Sequence, residues 1–298
     1  MARRLALLKL MLDHPLNRGR RVQAIGRWAS WQAWRHIVRR PITVRISTDV
    51  RVRVYPDWPY SWTAIYLRLA EYDDMMFTLR YLRRGDAFVD VGANVGFYSL
   101  LASSANAGSP VLALEPHPVA SQRLRENALL NSFGNIRIRA VAAGRAPGSA
   151  ELTANLVDQN RISSGVDDSG PTITVSVVTL DAELVAQKIN AEDVRLVKVD
   201  TEGFEANVLS GAHSLLDTRP GPVWLVEMAG LGLRYGTGDP EVFAMFKDRG
   251  YQAFRYAAED NKLVKYAGLG TDRSNVIFAR DPGSVSSRLE HAPRVMAR

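Results

Sequence analysis

Residues 86–99 read DAFVDVGANVGFYS, and the fold follows from this stretch. Ala87, Phe88, Val89 and Val91 make an apolar run too short for a helix and rich in β-forming residues, which predicts a buried strand. The run ends at Asp90–Val91 and passes through Gly-Ala-Asn-Val-Gly, residues 92–96, into FYSLLASSA, a helical pattern. Strand, glycine turn and helix in that order open a parallel α/β sheet.

The alternation continues outward to Arg280. PVLALEP, IRIRAVAA, VRLVKVD and PVWLVEM have the length of buried parallel strands, and VASQRLRENALLN and FEANVLSGAHSLL are helical patterns between them. Residues 85–280 are therefore expected to form a doubly wound α/β domain with helices on both faces. GSAELTAN and PTITVSVVTL interrupt the rhythm and predict an added strand pair around a polar loop. Upstream, residues 1–84 form an extension of helices and a β-hairpin. Ile42, Val44, Ile46, Val50, Val52 and Val54 alternate with Arg45, Arg51 and Arg53 about a turn near Ser47–Asp49. Residues 281–298 are polar and basic, and a frayed tail is expected there.

Nearly half of the 298 residues are hydrophobic, and there is no cysteine, which excludes disulfides, thiolate metal sites and a cysteine nucleophile. The net charge of +7 is unevenly placed. Residues 1–53 hold 13 Lys/Arg against 2 Asp/Glu, giving +11; the remainder holds 25 against 29, giving −4. A nucleic-acid channel through the main domain is not expected; an anionic partner at the N-terminus, such as a membrane surface, is compatible. MARRLALLKLML lacks the cleavage site of a signal peptide and reads as an amphipathic helix on a cytoplasmic protein. Trp28, Trp31 and Trp34 follow at three-residue spacing, with Trp28 and Trp31 in the same helical sector as Arg21, Arg35 and Arg39. Such mixing suits either an interfacial position, which makes peripheral membrane contact, or packing against the main domain with cation–π contacts.

In an open parallel sheet a ligand binds at the carboxyl ends of the strands. Gly92 and Gly96 let the backbone approach it, and Asn94 lies between them. Glu115 ends the second strand 25 residues after Asp90 and can accept both hydroxyls of a ribose. A dinucleotide needs Gly-x-Gly-x-x-Gly and a site for pyrophosphate; here the turn is one glycine short and Asp90 repels phosphate. The same acid attracts the amino group of a methionine moiety, which favours S-adenosylmethionine over a nicotinamide cofactor.

With FVDVGANVGFYS, LEPHPVASQRLRENALLN, VKVDTEGFEANVLSGA and LVEM in this order, the chain resembles the FkbM family of S-adenosylmethionine-dependent methyltransferases from about Gly85 to Arg280. The resemblance implies a Rossmann-like class I sheet of seven mostly parallel strands whose last strand is antiparallel. It also implies methyl transfer to a hydroxyl of a sugar, glycan, glycolipid or related small metabolite. Carried over residue by residue, Asp90, Gly92, Asn94 and Gly96 match the cofactor turn and Glu115 the ribose acid. Ala142, at the end of the third strand, matches the segment beside adenine, where the small side chain leaves only backbone contacts and packing. Tyr72 and Asp73 fall where relatives show an aromatic and an acid. Asn160, Ser163 and Ser164 match an Asn followed by paired serines in a loop that can recognise an acceptor.

Methyl transfer to a hydroxyl calls for in-line placement and proton removal. KVDTEGFE ends the fourth strand beside the cofactor turn, so Asp200 is the candidate base or orienting group and Glu202 the next. Asp200 could instead cap the helix near Phe204, and Lys198 reads as a structural ion-pair partner. A secondary reading makes Asp200, Glu202 and Glu227 oxygen ligands of Mg²⁺. His117 lies next to the ribose acid; His213 sits in a helical pattern without a partner motif. Two other classes compete with the methyltransferase reading: a nicotinamide-dependent oxidoreductase, and a non-catalytic glycan- or membrane-binding module on the same fold.

Overall fold

The computed structural model describes residues 2–154, 160–165, 170–268 and 274–292. The chain begins with helices α1 (Ala2–Asp13) and α2 (Arg21–Ile37), the hairpin β1 (Ile42–Arg45) and β2 (Arg51–Val54), then α3 (Pro59–Tyr66) and α4 (Tyr72–Tyr81). The alternating part runs β3 (Ala87–Val91), α5 (Phe97–Ala105), β4 (Val111–Leu114), α6 (Pro118–Leu130) and β5 (Ile136–Arg139). It continues through β6 (Ala142–Ala143), β7 (Gly148–Thr153), β8 (Thr172–Val178), α7 (Leu180–Ala186) and β9 (Val194–Val199). Two short helices, α8 (Glu205–Leu209) and α9 (His213–Asp217), precede β10 (Val223–Met228) and α10 (Asp239–Lys247). The chain closes with β11 (Gln252–Ala257), β12 (Lys262–Lys265), β13 (Ser274–Ala279) and α11 (Pro282–Glu290).

The main sheet has the order β12-β11-β13-β10-β9-β3-β4-β5. From β10 to β5 every pairing is parallel, and β13 runs antiparallel between β10 and β11. This is the expected seven-stranded mostly parallel sheet with its last strand reversed, plus an eighth strand, β12, returning from β11. KLVK escapes a sequence reading because it is four residues long with a lysine at each end. Asn261, at φ 53°, makes the tight turn into it, and its lysines guard the sheet edge.

Alternate residues of each strand enter two different cores. Phe88, Leu196, Leu225 and Ile277 pack with the extension and α5; Val89, Val197, Val226 and Phe278 pack with helices α7–α10 on the opposite side. The extension thus shares a core with one face of the sheet. The hairpin turns where expected, and Asn127 and Asn131, one turn apart on α6, accept the N–H groups of Arg53 and Arg51. These bonds satisfy a strand edge that a two-stranded hairpin leaves open.

Three expectations change. IRIRAVAA is two strands: β5 closes the main sheet, whereas Ala142–Ala143 turns away to pair with β8 in a separate three-stranded sheet, β6-β8-β7. That sheet contains the expected added strand pair, β7 with β8; residues 155–159 and 166–169 of the loop between them lie outside the described residues. The segment expected to fray is helical over Pro282–Glu290, with Val285 and Leu289 buried and Arg288 bonded to Asp86 and the Tyr81 carbonyl. FEANVLSGAHSLL breaks at Gly211, where a Cβ would lie 2.1 Å from the Gly144 carbonyl oxygen. Gly211→Ala therefore forces backbone apart from backbone, and a loss of about 2–3 kcal/mol is expected on urea unfolding; an unchanged midpoint would refute the contact.

Candidate active site

On the extension-facing side of the sheet each central strand exchanges its apolar residue for a polar one as it reaches its carboxyl end. Phe88 is followed on that face by Asp90, Leu196 by Lys198 and then Asp200, and Leu225 by Glu227, since side chains two apart share a face. Asp90 and Lys198 are register partners across β3 and β9, and Glu227 pairs with Asn275 across β10 and β13. The antiparallel strand thereby brings an amide in from its amino end.

The glycine turn closes against this row. Gly92 has φ +80°, and a Cβ there would sit 1.8 Å from the Asp200 carbonyl oxygen, so the first and fourth strand ends touch only because the side chain is absent. Glu115 is 8% exposed; its Oε2 accepts from the Asn94 N–H and its Oε1 from the His117 N–H, both at 2.8 Å. The Asn94 side-chain oxygen accepts from Trp58 Nε1 at 3.0 Å, which draws the extension over the turn. A cavity of ≈ 260 Å³ opens here, lined among others by Trp58, Asp90, Glu115, Ala142, Asp200 and Glu227.

Of the sequence-derived candidates, Asp90, Gly92, Asn94, Glu115, Ala142, Asp200 and Glu202 line this cavity. Gly96 does not; it starts α5 at φ +95°, and a Cβ there would meet Leu124 at 2.0 Å, so it serves helix entry and packing. Ala142 reaches the cavity from β6 instead of from the end of the third strand. His117 and Asn160 contribute to the lining, whereas Ser163 and Ser164 do not. Exposed His213 heads α9, its N–H bonded to Asp181. Asp73 accepts from the Ala258 N–H and Tyr72 packs edge-on to His14; both line a second space beside the cavity, which the neighbouring acids share.

Those neighbours are Glu71 and Asp74, both accepting from the Asn275 amide at 3.1 and 2.9 Å; Tyr98 also donates to Glu71 at 2.5 Å. Together with Asp200 and Glu227 they line a second space of ≈ 300 Å³, so Glu71, Asp200 and Glu227 face both cavities. The sequence carries a faint sign of this in EYDDMMF, three acids heading an otherwise apolar helix.

Lys198 is 3% exposed, donates to Asp200 Oδ2 at 2.6 Å and lies 4.5 Å from the Tyr98 ring centroid. Burial acts to lower its pKa, but Asp200, Glu71 and Asp90 outweigh burial and the net movement is upward. Asp200 makes no helix cap, and α8 begins without a side-chain cap; Glu205 instead ties the preceding loop, its Oε1 accepting from Thr201 N, Thr201 Oγ1 and Gly203 N. Lys198 thus holds one oxygen of Asp200, and among the described residues no three acidic or histidine groups are placed to hold a metal ion. Lys198→Met leaves several buried acids uncompensated, and a stability loss of about 3–5 kcal/mol is expected in chemical denaturation. A loss below 1 kcal/mol would show that water already screens the cluster.

Burial, reinforced by neighbouring carboxylates, raises the other acids. Glu115 and Glu202 move up to about 7, Asp74 to about 7, and Glu227 to about 10. Asp90 also moves up, through burial. A raised carboxyl binds more protons folded than unfolded, so its contribution is greatest below the unfolded value near 4.5 and is lost as pH rises through about 7. The ligand-free protein is therefore expected to melt lower at pH 8 than at pH 6, the slope shrinking in Glu202→Gln. A melting temperature that climbs across this window contradicts the assignment.

The family described as the methyltransferase FkbM domain matches residues 90–253, more than half of the chain. Among curated proteins, the chain is 29% identical over 162 residues to the 31-O-demethyl-FK506 methyltransferase FkbM of Streptomyces tacrolimicus, a match covering 44% of this chain and 61% of that protein. It is 26% identical over 147 residues to Methyltransferase 1 of Beauveria bassiana, covering 42% and 58% respectively. The chain spans less than two thirds of either relative. Among solved structures, precorrin-6y C5,15-methyltransferase from Geobacter metallireducens aligns at 12% identity and a TM-score of 0.39, covering 70% of this chain and 86% of that one. M. jannaschii TYW2, solved in complex with AdoMet, aligns at 13% and 0.39, covering 80% and 84%. The fold rests on the strand order rather than on these distant likenesses. With Asp90, the glycine turn and the Asp200 loop all inside the matched segment, the chain belongs to the FkbM methyltransferase family.

Proposed function

We propose that the protein is an S-adenosylmethionine-dependent O-methyltransferase acting on a hydroxyl of a sugar, glycan, glycolipid or related small metabolite. One observation carries the donor assignment. Asp90, a residue of the cavity lining, is 1% exposed; its Oδ2 accepts from Ser99 at 2.6 Å, and its Oδ1 is buried with no hydrogen-bond partner. A buried acceptor without a donor is costly in isolation and fits an ammonium group. Glu115, held by one N–H on each oxygen, keeps lone pairs for a vicinal diol. Val141 and Ala142 supply a small apolar wall, and Trp58 an aromatic one.

When bound, the donor supplies a methyl group activated by positively charged sulfur. The chain's own residues place an acceptor and take its proton. Asp200, with one oxygen held by Lys198, orients the hydroxyl through the other. Glu202, pushed up to about 7, receives the proton at neutral pH far more readily than an ordinary carboxylate. Glu227, pushed upward by burial and by the neighbouring Asp200, Glu202 and Glu205, favours the protonated form, which can donate to an acceptor oxygen. Trp58 and Tyr60 close the cavity from the extension and exclude water.

Calorimetry with S-adenosylmethionine, S-adenosylhomocysteine and NAD tests the reading. Micromolar binding of the first two and none of NAD is expected, followed by methyl transfer to a member of a panel of hydroxylated saccharides. NAD binding would establish the oxidoreductase, and donor binding with no transfer to any hydroxyl would favour a non-catalytic module.

A further inference from the structure

Helix α2 turns the sequence expectation around. The sector holding Trp28, Trp31 and Arg35 faces the protein: Trp31 is 1% exposed and meets Trp62 edge-on, and Arg35 lies 4.3 Å from the centroid of the Trp62 ring. The opposite face is left in solvent, and it is mainly apolar, with His36 and Ser30 its polar residues. Val22, Gly26, Ala29, Ala33 and Ile37 succeed one another at spacings of four, three, four and four, all exposed, with Ile25 and Trp34 alongside. Val22 is 83% exposed and Ile37 79%, so among the described residues nothing covers the stripe.

Cations bracket it. Exposed Arg20 and Arg21 stand at its amino end and exposed Arg39 and Arg40 at its carboxyl end, and no Asp or Glu occurs between Asp13 and Asp49. Arg20 and Arg21 stand beside a helix amino terminus with no acid in its first turn, where a cation opposes the helix dipole. Only Arg21 is met by an acid, Asp13 at 3.9 Å, and both side chains stay exposed. A second copy of the chain is a poor occupant. Antiparallel packing about a two-fold axis sets Arg20 and Arg21 against the other copy's Arg39 and Arg40, and parallel packing sets like beside like, with no acid to answer either.

We infer that this face of α2 seats on an anionic lipid surface. The apolar stripe enters the boundary between headgroups and acyl chains, and the four arginines reach phosphate from both ends. Trp34, 40% exposed with its Nε1 bonded to the Arg40 carbonyl, sits at the edge of the stripe, as tryptophan does at headgroup depth. A helix of 17 residues, about 25 Å long, lies along the surface without crossing it; among the described residues no helix is long and apolar enough to span.

The test is sedimentation of the full chain with vesicles of phosphatidylcholine alone or with about one quarter phosphatidylglycerol. Binding at least ~10-fold tighter to the mixed vesicles is expected, weakening as salt rises. Val22→Glu with Ile37→Glu, and separately Arg20, Arg21, Arg39 and Arg40 all changed to serine, should each remove most of it. Because every altered side chain is exposed, unchanged melting curves keep a negative result interpretable. Equal binding to both vesicles, or variants that bind like the parent, overturns the inference. So does a chain that stays off vesicles, whether monomeric or self-associating through a contact that the glutamates dissolve.

Discussion

Asp90→Asn is expected to weaken S-adenosylhomocysteine binding by about a hundredfold while leaving 5′-methylthioadenosine binding unchanged. The two ligands share the nucleoside and differ in the amino-acid end. Asparagine keeps the shape of the side chain and an oxygen for Ser99, which donates to Asp90 at 2.6 Å, but removes the charge. A hydrogen bond to a charged partner in a dry site is worth about 2–3 kcal/mol, roughly 30–150-fold in affinity. The loss should therefore be confined to the ligand with an ammonium group. Equal losses for both ligands would mean that Asp90 supports the pocket's shape; no loss for either would put the methionine end elsewhere.

Asp200→Asn is expected to lower kcat by about 10²–10⁴-fold with donor affinity within about threefold. Lys198 fixes one oxygen of Asp200 at 2.6 Å, so the carboxylate arrives oriented without an acceptor present. Glu202→Gln carries a complementary signature. The base must be deprotonated, so the parent's rate should rise with pH and level off above about 7, the value to which Glu202 is pushed by burial and by Asp200. In Glu202→Gln that rising limb should vanish. If it survives, Glu202 is not the group that titrates.

Much of the site can be traced to local pattern. Asp90 and Glu115 each terminate an apolar run, and the sheet carries the two runs side by side because consecutive βα units wind in one direction. Lys198 was legible as a buried ion-pair partner from strand alternation alone. The residues that escaped detection lie on elements far apart in sequence. Glu71, just before α4, and Asp74, on it, share the amide of Asn275 on β13, about 200 positions later, and neither segment has a motif that names the other. Trp58 precedes the family-matched segment, and its bond to Asn94 and its contacts with His117 and Arg123, all tertiary, bring it to the cavity.

Local pattern alone marks the hairpin, the central parallel strands and their acidic ends, because period-two alternation and glycine turns are written in neighbouring residues and need no distant partner to be read. The edge strand β12 and the break between β5 and β6 carry no such mark. Only the tertiary structure decided which face of each element meets the core. In α2 Trp28 and Trp31 turn inward because packing on α3, against Trp62, buries surface that solvent would otherwise meet, and that choice leaves Trp34 and an apolar stripe outside. It likewise decided how many carboxylates share one site, since their proximity is set by β13 entering antiparallel. The mutual repulsion and burial that follow are properties of the assembled fold and of no single stretch of chain.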